Sequence, residues 1–272
     1  MSVFKDKTAI VTGGASGMGE AVCRQLAARG ASVIVADIQS EKAEKVAAEI
    51  RAAGGMARAA ALDVSDREAV FALVENTARE SGRLDYMFNN AGMLFVGEVR
   101  DMAPAQWEKI VRINTMGVLH GTLAAYNVMI RQGSGHIVNT ASMAGLIYQP
   151  ITVAYVMTKQ AVVGLSLSLR IEAAGLGVRV SAVCPGVVKT PLYDHSPSER
   201  ASIPDVMGIL PVRACPAEKA ADHILAGVTK NKALILFPLH ARMLWLAYRL
   251  MPLALVKFMQ APVWYFRKKL RK

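Results

Sequence analysis

The sequence predicts an α/β fold: a doubly wound parallel sheet of about seven strands, followed by an extra apolar and basic helical segment at the C-terminal end. Three observations carry that prediction. Short β-branched runs alternate with longer segments of helical period through residues 8–185. A glycine turn, TGGASGMGE (12–20), follows the first run and opens a helical pattern. The 272 residues, 53% hydrophobic and 19% charged, suit one large core better than two small ones.

The strands are read in order as TAIV (8–11), SVIVA (32–36), ARAAAL (57–62), LDYMF (84–88), HIVN (136–139) and VRVSAV (178–183), all as buried parallel strands, with ALILF (233–237) as a seventh. Between them lie helical segments such as EKAEKVAAEIRAAGG, expected to open with Ser40 as N-cap and to close on Gly54 and Gly55. Right-handed crossovers wind such a series into a sheet whose ligands bind at the strand C-terminal ends. Residues 191–216 are Pro-rich and aperiodic, as a mobile loop near a site would be. The domain is therefore drawn over 1–237, including that loop, with 238–272 as an extension.

Charge and cysteine usage exclude several classes. The net charge of +11 suggests nucleic acid until it is located: residues 1–222 hold all 21 acids and 22 Lys and Arg, while 223–272 hold 10 Lys and Arg and no acid. The near-neutral domain offers no broad basic face, so a nucleic-acid role is not expected. Cys23, Cys184 and Cys215 are far apart and in no metal or redox motif, which points to a reduced, cytoplasmic setting. The five histidines fall in no metal-ligand spacing, so no metal is expected. The opening MSVFKDKTAIVTGG lacks the pattern of a secretory signal, and fold is expected from the start.

Glycines 13, 14, 17 and 19 leave backbone amides at a helix start open to a pyrophosphate, although an ordinary tight loop fits them too. Asp37 ends the second strand, where a carboxylate can accept hydrogen bonds from the adenosine ribose and repel a 2′-phosphate. No Arg or Lys stands at 15, 16 or 38, so NAD is favoured over NADP. Tyr155 and Lys159, four apart, share a helix face. Taken alone, that spacing is commoner in plain packed helices than in active sites.

In combination the motifs resemble the short-chain dehydrogenase/reductase family, with its Rossmann-like sheet. The matching segments are TGGASGMG (12–19), Asp63-Val64, NNAG (89–92), Asn114, NTASMAG (139–145), YVMTK (155–159) and CPGVVKT (184–190), over roughly residues 5–230. The resemblance implies Asn114, Ser142, Tyr155 and Lys159 as the catalytic set. Tyr155 would exchange the proton, Ser142 would hydrogen-bond the substrate oxygen and the tyrosine, and Lys159 would tune Tyr155 and hold the nicotinamide ribose. Asn114 would bend its helix and hold a water beside the lysine. Cofactor contacts would come from Gly13, Ser16, Gly17, Met18 and Gly19, from Asp37, from Asp63 and Val64 at the adenine and from Asn90 at the ribose. Pro185, Gly186, Val188 and Thr190 would face the carboxamide. An ammonium about 4 Å from the phenol at an effective dielectric near 20 supplies on the order of 4 kcal/mol. That is roughly three pKa units, which would bring Tyr155 near 7.

The sequence departs from the family after ALILF, where members often finish soon after the seventh strand in a D-G-G-like tail at a subunit interface. That puts the common tetramer in question, though a homodimer or homotetramer is still expected. Arg242, Arg249 and Lys257 recur at intervals of 7 and 8 among Leu, Trp, Tyr and Phe, with Pro252 and Pro262 as breaks. No uncharged window of about 20 residues exists there, which disfavours a transmembrane helix. A peripheral element with RKKLRK on anionic lipid fits best, ahead of helices packed on the core, a second subunit or the substrate pocket. The expected activity is interconversion of a secondary alcohol and a ketone with NAD, on a lipophilic substrate such as a steroid, retinoid or long-chain alcohol. The substrate class rests on the tail and on Ile203, Met207, Ile209 and Leu210. A cofactor-binding scaffold or sensor with little turnover is the alternative.

Overall fold

The computed structural model describes residues 2–200, 203–208 and 213–271. The chain runs β1 (Thr8–Thr12), α1 (Gly17–Ala28), β2 (Ser32–Asp37), α2 (Ser40–Ala52), β3 (Met56–Ala61), α3 (Arg67–Ser81), β4 (Tyr86–Asn89), α4 (Pro104–Val111), α5 (Gly117–Gln132), β5 (Gly135–Thr140), α6 (Val153–Glu172) and β6 (Val178–Pro185). Then follow β7 (Val188–Lys189), α7 (Leu192–His195), α8 (Ile203–Gly208), β8 (Cys215–Pro216), α9 (Ala217–Thr229), β9 (Leu234–Phe237), α10 (Leu239–Leu250), α11 (Pro252–Phe258) and α12 (Gln260–Tyr265).

Seven parallel strands form one sheet in the order β3-β2-β1-β4-β5-β6-β9, and β7 pairs with β8 in a two-stranded ribbon. The order reverses between β1 and β4, the switch point at which such sheets open a crevice. Registers Thr12↔Ala36, Asp37↔Ala61, Asn89↔Asn139 and Thr140↔Val183 bring these strand ends to one rim. Every residue of β1 is buried, because helices cover both faces. β3 differs from its expectation: as an edge strand it is only partly covered, with Met56, Arg58 and Ala61 exposed. Ser40 also differs, being the first residue of α2, while Gln39 takes the cap position without a side-chain bond. The predicted stop is seen, with Gly54 at φ +81°.

The segment after β6 is anchored on the rim. Val96 bonds Pro197 and Glu199 through the backbone, and Gln106 donates to the Glu199 carboxylate at 3.0 Å. Ile203 is buried; the Met207 side chain, Ile209 and Leu210 lie outside the described residues. The C-terminal extension packs on the domain. Ala241, Trp245 and Tyr248 of α10 join a core cluster with Val118, Met143 and Ile147, and Tyr248 meets Tyr148 edge-on at 5.4 Å.

Candidate active site

The glycine turn is built so that backbone stands where side chains would. A Cβ on Gly19 would lie 2.0 Å from the Gly13 carbonyl oxygen, and Gly17 at φ +53° approaches Thr190. Ser16 is extended ahead of α1 without capping it through its side chain, and Met18 packs on the core. Thr12 Oγ1 accepts the Asn90 and Ala91 amides at 3.0 and 3.1 Å, and the Asn90 side-chain amide donates to the Thr12 and Gly13 carbonyls. Asn90 therefore fixes the turn after β1 to the end of β4.

Asp37 is buried at the tip of β2, where its carboxylate accepts the Ala15 amide at 3.1 Å and the Gln39 amide at 3.0 Å. It holds one edge of the turn, with Ala15, Ser16 and exposed Ile38 as uncharged neighbours. Asp63 is exposed beyond β3 and accepts the Ser65 amide, while Val64 is buried against Gly117. Pro185 ends β6, the Gly186 amide bonds the Phe237 carbonyl, Val188 is buried, and Thr190 lies against Gly17. The glycine turn, with its missing side chains at a helix start beside Asp37 and Asn90, fits a dinucleotide pyrophosphate.

The second cluster adjoins it. Asn114 is fully buried in a π-helical turn, Arg112–Met116, that interrupts the run from α4 to α5. Its oxygen accepts the Met93 amide at 2.8 Å, and its amide donates to the Met93 carbonyl and to Thr158 Oγ1. Thr158 in turn donates to the Tyr155 carbonyl at 2.8 Å. Lys159 is 3% exposed, and its Nζ donates to the Thr140 carbonyl at 2.8 Å. A Cβ at Gly92 would meet both Asn114 Oδ1 (3.2 Å) and Lys159 Nζ (3.4 Å), so that glycine lets the two heads converge. Ser142 Oγ accepts the Ala144 amide at 3.1 Å, fixing its loop beside the phenol.

The electrostatics correct one expectation. Burial pushes the Tyr155 phenol above its ordinary value, and the Ser142 hydrogen bond only partly opposes this. Lys159 does not bring the phenol near 7 in the chain alone. Its Nζ lies 5.6 Å from the ring centroid, and burial lowers its own pKa to about 8.

Several residues of the site were not anticipated. Beneath the rim, Asn89 donates to Asn139 and Thr122, and Asn139 donates to Ser166, joining β4, β5, α5 and α6. Above it, Tyr155 packs on Leu94, Val96, Ile151, Ile203 and Phe266, the last only 1% exposed, with Leu192, Tyr193 and Leu270 around them. Arg267 Nε donates to Glu98 at 2.7 Å, and the Arg271 guanidinium spans Glu98 and Asp101 at 3.4 and 2.8 Å. Burial alone would raise the Glu98 carboxyl, but Arg267 and Arg100 hold it below the usual carboxylate range. Two of the RKKLRK cations are thus engaged by protein carboxylates, which narrows the expected lipid contact of that run. No helix of the described residues is long and apolar enough to cross a membrane.

A family model described as short chain dehydrogenase matches residues 7–201. Oxidoreductase UcpA of Escherichia coli strain K12 is 36% identical over 84% of this chain and 87% of its own. Cyclopentanol dehydrogenase of a Comamonas species is 37% identical over 76% and 85%. A 3-alpha-(or 20-beta)-hydroxysteroid dehydrogenase of Mycobacterium bovis is 38% identical over 71% and 73%. A short chain dehydrogenase/reductase from Burkholderia phymatum, solved in complex with NAD, superimposes with a TM-score of 0.81 at 28% identity, over 87% of this chain and 90% of that one. Sheet order, glycine turn and family match agree, and the chain belongs to the short-chain dehydrogenase/reductase family, oxidoreductases acting on CH–OH groups.

Proposed function

We propose that the protein interconverts a lipophilic secondary alcohol and its ketone with NAD, and that Tyr155 is the general acid/base. The observation that carries this reading is the position of Tyr155 between Ser142 and Lys159 on one side and an apolar wall of Leu94, Ile151, Ile203 and Phe266 on the other. The glycine turn and Asp37 would hold NAD, with no cation at 15, 16 or 38 for a 2′-phosphate. When bound, NAD supplies the hydride acceptor and a positive ring beside the site.

The chain's own residues then have distinct tasks. Tyr155 takes the alcohol proton in one direction and returns it to the carbonyl oxygen in the other. Ser142 hydrogen-bonds that oxygen. Lys159 supplies charge when protonated, and its pKa of about 8 leaves it mostly charged at neutral pH. Asn114 acts as a positioning residue, tying the Met93 loop to the turn of α6 that carries Tyr155. The apolar wall excludes water and favours hydrocarbon, consistent with the cyclopentanol and hydroxysteroid dehydrogenases among the relatives. Outward Met116, Leu123 and Ile130 recur every seven residues on and beside α5, which suits a homo-oligomer.

The test is a panel of secondary alcohols of increasing hydrocarbon length, assayed with NAD and with NADP. Each buried methylene contributes about 0.8 kcal/mol, so kcat/KM should rise roughly fourfold per carbon until the wall is filled. NAD should be preferred to NADP. A protein that binds NAD but reduces it with no alcohol on the panel would instead be a scaffold.

A further inference from the structure

The outer face of α10 has no use in the catalytic reading. Leu239, Met243, Leu246 and Leu250 are 70%, 64%, 53% and 81% exposed. Their spacing of four, three and four puts them within an arc of about 60°. Ala241, Trp245 and Tyr248 occupy the opposite face and pack on the core, so α10 presents one apolar stripe inward and another to solvent. Arg242 and Arg249, seven apart, run along one flank of the outer stripe. The Arg242 Nε is fixed on the Leu236 carbonyl at 2.7 Å, and the Arg249 guanidinium lies 5.2 Å from the Trp245 ring centroid.

On the Arg242 side lies a cavity of about 180 Å³ whose lining includes His223, Lys230, Lys232 and Arg242. Asp222, beside it in sequence, is paired with Arg29 at 3.4 Å, and no Asp or Glu follows it in the chain. An apolar stripe bordered by cations, on a segment with no carboxylate side chain of its own, has the form of a helix lying in a headgroup plane, with apolar side chains below it and arginines reaching to phosphate. A second copy of this chain offers less complementarity, since two such faces would oppose like charges.

We infer that α10 docks on an anionic lipid surface, with the outer stripe in the acyl boundary and the cavity taking a headgroup phosphate. This assigns the contact to α10 and to Lys230, Lys232 and Arg242, and it stands independently of the catalytic reading. A substrate partitioned into the bilayer would then be met at the surface that holds it.

The test is co-sedimentation of the full chain with phosphatidylcholine vesicles with and without phosphatidylglycerol, in low and high salt. Wild type should bind only the anionic vesicles and be released by salt, because the attraction of exposed cations to headgroup phosphates is screened. Leu246→Glu with Leu250→Glu, and separately Lys230→Glu with Lys232→Glu, should each weaken binding at least about tenfold while NAD affinity is retained. Equal sedimentation of wild type and the stripe variant would overturn the inference. So would equal binding to neutral vesicles, or a fall in oligomeric mass on light scattering for the stripe variant, which would make this face a subunit interface.

Discussion

Two regions reach the same phenol by different means. At the strand ends and the helices beside them, Asn90, Asp37, Asn114 and Lys159 are held by buried and part-buried hydrogen bonds that alternative geometries would leave unmade. From the C-terminal extension, Phe266 and Leu270 arrive by apolar packing, secured by arginines on Glu98 and Asp101 whose own surfaces are partly solvated. The first region is stiff because unmade polar bonds are costly. The second is adjustable, because packing is non-directional and ion pairs whose arginines keep contact with solvent contribute less than a buried polar network. The difference separates a fixed chemical centre from a tunable wall.

The comparison breaks first at Tyr155. Tyr155→Phe should lower kcat/KM by about a thousandfold and leave NAD affinity within about twofold, measured by steady-state kinetics and cofactor titration. A variant that turned over at the wild-type rate would remove proton exchange from this residue.

Lys159 comes next. Its native pKa of about 8 lies below the unfolded 10.5, so between these values the unfolded chain binds more protons and native stability rises with pH. The cost of the buried charge is fully present below 8. Denaturant melts of Lys159→Met and wild type should therefore show the variant's relative stability shrinking by up to about 3 kcal/mol from pH 8 to 10.5. A pH-independent difference would mean that the ammonium is better solvated than its burial implies.

The wall is probed by Phe266→Ala. Losing a buried phenyl of about 2 kcal/mol should raise KM for the longest alcohols on the order of thirtyfold and change kcat for the smallest very little. A uniform loss on all alcohols would place Phe266 with the fixed centre. Glu98→Gln should have the smallest effect, about 1 kcal/mol, seen as roughly fivefold faster amide exchange in residues 260–271. Because the paired Glu98 carboxyl is held low, its contribution is present above the ordinary carboxylate pKa and is lost as pH falls through the native value.

The fixed centre was largely legible in the sequence. A strand, a glycine turn and a helix are contiguous, and Tyr155 and Lys159 share a face by helical period alone, so local spacing encodes their geometry. The wall was not. Arg267 and Glu98 are 169 residues apart, and no period links them. The terminal basic run therefore reads first as a lipid contact, ahead of packing on the core or beside the substrate pocket. The Asn89–Asn139–Ser166 network was missed for the same reason, since each asparagine alone reads as a cap or turn. β3 carried the small and apolar residues of an inner strand, but its edge position is set by sheet order and not by composition.

On the proposed reading, bound cofactor together with Lys159 lowers a phenol that burial alone holds high. The most direct measurement is the ultraviolet phenolate titration of Tyr155, taken as the difference between wild type and Tyr155→Phe, with and without saturating NAD. The phenol should ionise above the ordinary tyrosine value in the free chain and near neutrality, about 7 to 8, in the complex. A phenol that stayed protonated past the ordinary value with NAD bound would contradict it.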